Sequence, residues 1–312
     1  MGAQLAIRVI HKAVEAYRRD LNIRPEFRQL GAIQYDQRSL SWKGLERVSM
    51  VSLTGRITLK TRIGDYQRTK TGRLRGQADL IYRRDTFYLI AVVDVREEEL
   101  YEAKGTLGVD LGIENLATDS DGQIFKGMRV EKVRKRFNRL RRNLQKIGTR
   151  SAKRKFRKMS GHEKRFKRDI NHQISKAIVS KAKGTTRAIA LEDLKGIRSR
   201  VTVRHGEQRD RHNKWSFGQL RQFIEYKARK VGVPLYTVEA RNTSRTCPKC
   251  NSIDVRNRPE RNDLKCIRCG YRAMADYVAA INIAARAPIN EPIVAALFSP
   301  VTSPETGRLM TV

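Results

Sequence analysis

The 312-residue sequence has few acidic residues, only four cysteines and no long apolar segment. Because a membrane-spanning helix needs roughly 18 consecutive apolar residues, the sequence predicts no membrane span. No charged stretch followed by an apolar one stands at the N-terminus, so no signal peptide is predicted and we expect a cytoplasmic protein. The 32 acidic residues face 66 basic ones, a net charge of +34. Such a field attracts polyanions, and it favours nucleic acid as the partner over a membrane surface.

The four cysteines stand in two Cys-x2-Cys pairs that are separated by fifteen residues. They are Cys247, Cys250, Cys266 and Cys269. Two pairs at this separation predict four thiolates at the corners of a tetrahedron, the geometry of structural Zn²⁺. Four protein ligands leave no open coordination position, so such an ion would be structural rather than catalytic. The alternatives are two disulfides, which a reducing cytosol disfavours, or four unrelated thiols.

Half of the net charge is concentrated in residues 126–169, which hold 20 lysines and arginines and three acids. Apolar residues recur there every three or four positions, which predicts a helical pair with one apolar seam, broken near Gly148 and Gly161. Like charge at this density repels itself unless a polyanion neutralises it, so we predict nucleic-acid contacts rather than a solvated face. The predicted contact residues are Arg134, Lys135, Arg141, Arg142, Lys153, Arg154, Lys155, Arg157 and Lys158.

The N-terminal third of the sequence predicts one helix followed by a set of strands. Residues 3–20 carry apolar side chains at the spacing of one helix face. Residues 31–95 alternate apolar and polar side chains in short runs that end in turns, which indicates a small antiparallel barrel or sandwich. Residues 97–104 are predicted to form a charged linker to a second domain.

Three acids in the second domain stand where an unpaired carboxylate is unusual. Asp110 lies in a buried strand, Glu192 ends a second buried strand, and Asp276 lies in the first turn of an alanine-rich helix. A buried carboxylate costs several kcal/mol unless it is paired or binds a metal. Each acid alone also has a structural explanation, as a satisfied core residue or a helix N-cap. Together they predict a site for two divalent cations about 4 Å apart, either Mg²⁺ or Mn²⁺.

Such a pair of cations indicates phosphodiester chemistry. It would activate a water on one side of the phosphodiester and stabilise the leaving oxygen on the other, as in a ribonuclease-H-like nuclease. Gly108 and Gly112 flank Asp110, and we expect their bare backbone to let ions and a phosphate approach.

Four segments of the sequence resemble the split RuvC motifs and the zinc finger of the TnpB (OrfB) family. These insertion-sequence proteins are considered ancestral to the type V CRISPR effector nucleases. The segments are 108–118, 191–197, 243–250 and 276–283. The resemblance implies an α+β or α/β fold in which a ribonuclease-H-like (RuvC) nuclease domain with an inserted zinc ribbon follows a β-rich, barrel-like wedge domain. It assigns Asp110, Glu192 and Asp276 as catalytic, magnesium-binding acids and the four cysteines as zinc ligands.

The resemblance also implies a function and partners. It predicts an RNA-guided, Mg²⁺-dependent DNA endonuclease of a transposable element, which cleaves by a two-metal mechanism. The expected partners are a guide RNA and target DNA, with the protein a monomer on its RNA in the prokaryotic cytoplasm and on the nucleoid. A catalytically impaired RNA-guided DNA-binding protein or repressor is the alternative, and a degraded mobile-element remnant stays open as a third.

Domain boundaries follow from the same resemblance. Full-length members of the family begin with further wedge and recognition segments, so the chain is predicted to be short at its N-terminus. The expected parts are a remnant of a helical recognition domain (1–24), the wedge domain (25–103), the first part of the nuclease domain (104–240, with a basic helical insert at 126–183), the zinc ribbon (241–274), the last nuclease helix (275–290) and a disordered tail (291–312).

Overall fold

The computed structural model describes residues 3–21, 29–44, 46–69, 74–83, 85–194 and 217–287. The chain divides into two compact units, Met1–Arg96 and Glu97–Val312. The predicted tail at 291–312 lies outside the described residues. None of the helices in the described part of the chain is long and apolar enough to cross a membrane.

The first unit consists of helices and short antiparallel strands. The elements are α1 (Ala3–Arg19), β1 (Ile33–Tyr35), β2 (Leu40–Trp42), β3 (Arg47–Ser52), β4 (Gly55–Lys60), α2 (Asp65–Arg68), β5 (Leu74–Arg83) and β6 (Thr86–Val93). Its sheets have the orders β1-β5-β6 and β2-β3-β4. Tyr35 and Ala78 of the first sheet share a small core with Leu40, Val48 and Met50 of the second. The predicted helix at 3–20 and the predicted run of strands are confirmed, whereas closure into a barrel stays a prediction.

The second unit mixes helices and strands, as the sequence predicted. Its elements are β7 (Thr106–Asp110), β8 (Asn115–Asp119), β9 (Ile124–Lys126), α3 (Met128–Ile147), α4 (Arg150–Met159), α5 (His162–Gly184), β10 (Ala188–Glu192), α6 (Phe217–Lys230), β11 (Leu235–Val238), β12 (Asp263–Lys265), β13 (Arg272–Met274) and α7 (Ala275–Arg286).

A five-stranded mixed sheet with the order β11-β10-β7-β8-β9 forms the centre of this unit. Strands β7, β10 and β11 are parallel, while β8 pairs antiparallel with both β7 and β9. Side chains alternate along each strand, so Leu107 and Val109 of β7 face the main core with residues of α5 and α6. The opposite face carries Ala190 and packs against Ile283 of α7.

Helices α3 to α5 form the basic insert between β9 and β10. Helix α3 ends at Gly148, which has a positive φ of 65°, and α5 begins after Gly161, whose φ is 78°. Glycine adopts this left-handed backbone without a steric cost, so the two predicted breaks are confirmed. The Thr149 hydroxyl caps α4 by accepting a hydrogen bond from the Ala152 N–H (3.3 Å).

The predicted charged linker at 97–104 instead packs along the second unit. The Glu97 carboxylate binds Arg229 (2.7 Å), and the Tyr101 hydroxyl donates to the Arg187 carbonyl (2.9 Å). A Cβ at Gly232 would lie 2.1 Å from the Glu99 carbonyl oxygen, so the segment and the α6–β11 turn meet backbone to backbone. The acidic run at 97–99 therefore takes part in specific ion pairing, which the sequence pattern did not reveal.

Gly108 has a structural role that corrects its predicted one. A Cβ there would lie 2.0 Å from the Ala280 carbonyl oxygen and 2.6 Å from the Ala284 nitrogen, both in α7. The bare backbone of Gly108 therefore admits the helix that carries Asp276, and not an ion or a phosphate. At Gly112, a Cβ would meet the Asn115 carbonyl oxygen at 2.5 Å, so that glycine belongs to a tight turn.

Gly108→Ala is expected to destabilise the protein by about 3 kcal/mol or more, because the added methyl group overlaps the α7 backbone. Gly184→Ala, at the end of α5, is the matched control, since no atom lies within 4 Å of the added Cβ. It should change stability by less than about 1 kcal/mol. Urea unfolding monitored by circular dichroism measures both variants, and equal stability of the two would contradict the close packing of α7 on β7.

Candidate functional site

Two of the three predicted acids end neighbouring parallel strands. In the register of β7 and β10, Leu191 lies beside Val109, so Glu192 and Asp110 follow at the same level. Adjacent strands are about 4.8 Å apart, and paired positions point to the same face. That face is the one covered by α7, whose first turn carries Asp276. The structure thus brings all three acids to one end of the sheet.

Burial, together with the charges of the neighbouring acids, raises the pKa of Asp110 well above its ordinary range. Burial is the largest cause, and the charges of Glu192 and Asp276 raise that pKa further. Arg258 lowers it in part. Burial also raises the pKa of Glu192. A cluster of this kind repels itself when ionised, so a bound cation would stabilise it.

Two of the three carboxylates are oriented by a neighbouring polar side chain. The Thr243 hydroxyl donates a hydrogen bond to Glu192 Oε1, which lowers the Glu192 pKa against the effect of burial. Asn115 Nδ2 donates to Asp276 Oδ2 (2.8 Å). Arg221 Nη1 donates to the Glu192 carbonyl oxygen (2.7 Å) and fixes the end of β10. These bonds restrict the directions in which the acids can point.

Sequence analysis missed these orienting residues. Thr243 and Asn115 lie in segments that resemble the family, 243–250 and 108–118, and those positions are the available signal for them. Arg221 carries no such signal, and its partner is 29 residues away in the chain.

Asn282 of α7 ties the acidic site to the cysteine cluster. Its Nδ2 donates to the carbonyl oxygens of Thr243 (2.7 Å) and Thr246 (2.8 Å). Thr246 is followed directly by Cys247, the first cysteine of the cluster. This buried amide therefore fixes the loop that orients Glu192. The same loop leads directly into the cysteine-rich segment.

The donor chemistry of the acids suits a divalent cation. All three predicted ligands are carboxylates, which are the hard oxygen donors that Mg²⁺ and Mn²⁺ prefer. Thr118 lies opposite Asp110 in the antiparallel pair of β7 and β8. Its buried hydroxyl oxygen has no hydrogen-bond partner in the described part of the chain. Since buried polar atoms are normally satisfied, this hydroxyl is a donor or acceptor available to a hydrated ion.

The four cysteines form one cluster, as predicted. One sulfur atom from each lies within 4.8 Å of the others. The Sγ atoms of Cys247 and Cys269 are 3.5 Å apart, as are those of Cys250 and Cys266. A tetrahedral zinc with bonds of about 2.3 Å requires sulfur separations of about 3.8 Å, so the cluster can hold such an ion. No disulfide joins these cysteines.

Backbone amides support the cluster electrostatically. The Cys269 N–H points to the Cys266 sulfur (3.5 Å), and together with the Arg268 N–H it lowers the pKa of the Cys266 thiol to about 6. A thiolate is the form that binds a metal, so this arrangement favours ligation.

The predicted nucleic-acid contacts divide into a solvated group and a paired group. Arg134 is only 4% exposed and binds Glu131, so its predicted contact with nucleic acid is corrected to a structural ion pair. Arg141 is partly engaged, because its guanidinium binds the buried Glu163 carboxylate. The other seven are exposed: Lys135, Arg142, Lys153, Arg154, Lys155, Arg157 and Lys158.

Asp110→Asn is expected to raise the melting temperature in buffer without Mg²⁺ or Mn²⁺. The folded-state pKa of Asp110 is raised, so its ionisation costs stability as the pH rises through that pKa, and the amide avoids this cost. The gain should be largest at about pH 8 and should fade toward about pH 4, where an unfolded aspartate is itself protonated. Differential scanning fluorimetry across this range measures the effect.

Asp121→Asn is the matched control, and the opposite change in melting temperature is expected for it. Hydrogen bonds from Arg187 and Lys181 lower the pKa of Asp121, so its charge stabilises the fold above the unfolded-state pKa and this stability is lost as the pH falls. The amide should therefore lower the melting temperature at neutral pH. If Asp110→Asn were also less stable than the wild type at about pH 8, the repulsion inferred here would be wrong.

Two family models match the chain. The model described as a probable transposase, OrfB_IS605, matches residues 90–195, and the model described as the Cas12f1-like TNB domain matches residues 217–283. The first match includes Asp110 and Glu192, and the second includes Asp276 and all four cysteines.

Several curated proteins are similar to this chain. TnpB-like protein MJ0751 of Methanocaldococcus jannaschii is 30% identical over 244 residues, which is 73% of this chain and 85% of that protein. The putative RNA-guided DNA endonuclease InsQ of Escherichia coli is 28% identical over 60% of this chain. The CRISPR-associated endodeoxyribonuclease Cas12f1 of Sulfoacidibacillus thermotolerans is 38% identical over 38% of it. The chain spans only 50% of InsQ and 27% of that Cas12f1.

A solved structure shares the fold. The mini-RNA-guided endonuclease CRISPR-Cas_phi3 superimposes with a TM-score of 0.52 and 12% identity, over 83% of this chain and 58% of that one. Identity at this level supports the fold alone. The family is shown instead by the sequence match to most of MJ0751. This chain belongs to the TnpB family.

Proposed function

We propose that this protein is an RNA-guided, divalent-metal-dependent DNA endonuclease associated with a transposable element. The observation that carries the proposal is the convergence of Asp110, Glu192 and Asp276 at one end of the mixed sheet, where burial and then the charges of the other two acids raise the pKa of Asp110. Acids that only stabilised the fold would be paired chiefly with cations, whereas Asp110 lies against two further carboxylates.

The second unit is proposed to be a ribonuclease-H-like (RuvC) nuclease domain. A central strand with a parallel partner on one side and a hairpin on the other, and with acids at the strand ends, supports this assignment. Residues 241–274 would be a zinc ribbon inserted before the last nuclease helix at 275–290. In the first unit, residues 25–96 would be the wedge domain, which is shorter than the predicted 25–103 because residues 97–103 belong to the second unit, and residues 1–24 would come from a recognition domain.

The three acids would hold Mg²⁺ or Mn²⁺. When bound, the ions would supply an activated water and charge neutralisation at the leaving oxygen of a phosphodiester. Asn115 and Thr243 hold Asp276 and Glu192 in fixed directions, so little reorganisation is needed at the moment of reaction. Asp110 must be ionised to bind a cation, and its raised pKa makes that binding weaker as the pH falls.

A guide RNA and a target DNA are the proposed partners, with a single protein chain on the RNA. The exposed basic side chains of α3 and α4 supply phosphate contacts that do not depend on sequence. Three relatives support the partner class, because their names describe an RNA-guided endonuclease or CRISPR-associated endodeoxyribonucleases.

The purified protein is expected to contain one zinc ion per chain, held by the four cysteines. Cys250→Ser should lose the ion and unfold the ribbon locally, because a structural zinc site contributes its binding energy to folding. Inductively coupled plasma mass spectrometry measures the metal, and limited proteolysis measures the local unfolding. Lys249→Ala, an exposed neighbour between the first two cysteines, should keep both metal and protease resistance. A zinc-free wild type with four freely titrating thiols would contradict the assignment.

Asp110→Ala and Glu192→Ala are each expected to reduce guided DNA cleavage to background, because each removes a proposed metal ligand. The substrate is a plasmid that matches the RNA copurified with the protein, assayed with and without Mg²⁺. Glu102→Ala, which removes an exposed acid of the same unit, should cut at the wild-type rate. Unchanged cutting by Asp110→Ala would refute the assignment.

Thr243 provides a graded version of the same test. Thr243→Val should reduce cleavage roughly 10- to 100-fold, the usual cost of losing a group that orients a metal ligand, and Thr243→Ser should restore it. A wild type that binds matched DNA through its RNA without cutting it would favour the alternative, a non-cleaving RNA-guided DNA-binding protein.

A further inference from the structure

A groove between α3 and α4 has no part in the proposed cleavage chemistry. Phe137 and Leu140 of α3 and Met159 of α4 contribute apolar lining, and His162, the first residue of α5, also lines it. The cavity has a volume of about 340 Å³. That volume is near the lower end for small-molecule sites, so the groove suits one compact group rather than a helix of a partner protein.

The rim of the groove is cationic. Arg136 of α3 and Lys155 and Lys158 of α4 line the same cavity, and all three are exposed. They belong to the segment with 20 basic and three acidic residues. An occupant with an apolar body and negative charge on its margins would complement this arrangement, and a nucleotide has both properties.

Two aromatic rings in the groove are suited to a flat ligand. The ring centroids of Phe137 and His162 are 6.4 Å apart, and their planes differ by 26°. For comparison, His172 and Phe223 in the same unit stack directly at 4.0 Å and 16°. The wider separation leaves the two rings less engaged with each other, so a base can stack against them.

We propose that this groove binds one unpaired base of a bound RNA strand. The base stacks on Phe137 and His162, and the flanking phosphates contact Arg136, Lys155 and Lys158. The proposal rests on the proposed function for the presence of an RNA. An RNA is favoured over other polyanions because its loops and bulges present unstacked bases, which proteins commonly receive on aromatic side chains.

The test uses wild-type protein without Mg²⁺ and a 12-nucleotide single-stranded RNA that contains one 2-aminopurine, whose fluorescence falls when the base stacks. Binding should quench the probe. Phe137→Leu and His162→Ala should abolish the quenching and weaken binding roughly tenfold, with an unchanged salt dependence, because they remove stacking and no charge. Phe137→Tyr should restore both signals. Lys155→Ala should instead reduce the salt slope by about one phosphate contact.

Phe156→Leu is the matched control, since Phe156 lies in the same helix pair but lines the cavity on the other side of α4. It should leave the quenching intact. Quenching that survives both Phe137→Leu and His162→Ala, or that occurs with a DNA probe and not with RNA, would overturn the proposal. Loss of guided cleavage with retained quenching would count against the proposed function alone, whereas a wild type that binds no RNA would overturn both.

Discussion

A buried cluster of three carboxylates is the constraint on which the second unit depends. Asp110, Glu192 and Asp276 come from two strands and a helix, and burial combined with their charges makes ionisation of Asp110 costly. A fold that keeps such a cluster has to hold it rigidly, because side chains free to turn would move apart. The neighbouring Asn115 and Thr243 supply that rigidity through directed hydrogen bonds.

Helix α7 connects the carboxylate cluster to the rest of the unit. It approaches β7 so closely that position 108 has no room for a Cβ, and its first turn carries Asp276. Two turns further on, Asn282 binds the carbonyls of Thr243 and Thr246, immediately before the cysteine cluster. Direct contacts therefore connect the sheet, the helix and the cysteine cluster. A metal bound in the cluster would stiffen the loop that orients Glu192.

The sequence was informative where local pattern determines structure. The strand around Asp110, the helix breaks at Gly148 and Gly161 and the cysteine cluster all follow from short-range rules, and the structure contains them. Contacts between distant residues carried no such pattern. The docking of residues 97–101 depends on partners more than 80 residues away. Arg134 pairs with Glu131 only three residues away, but that spacing does not reveal that its side chain is buried.

In the basic insert, folding brings the few acids next to particular basic side chains. Its few acids are used internally, since Glu131 binds Arg134, and Glu163 binds Arg141 and Lys167. Burial raises the pKa of Glu163, but the hydrogen bonds from Lys167 and Arg141 outweigh it and lower that pKa. The acids thus pair mainly with cations that lie inside the helical hairpin, although the exposed Lys135 also lies 3.9 Å from Glu131. The surface of the hairpin stays strongly basic. A strongly basic surface is stabilised by an external polyanion. Contacts with nucleic acid would therefore also reduce the repulsion among these like charges.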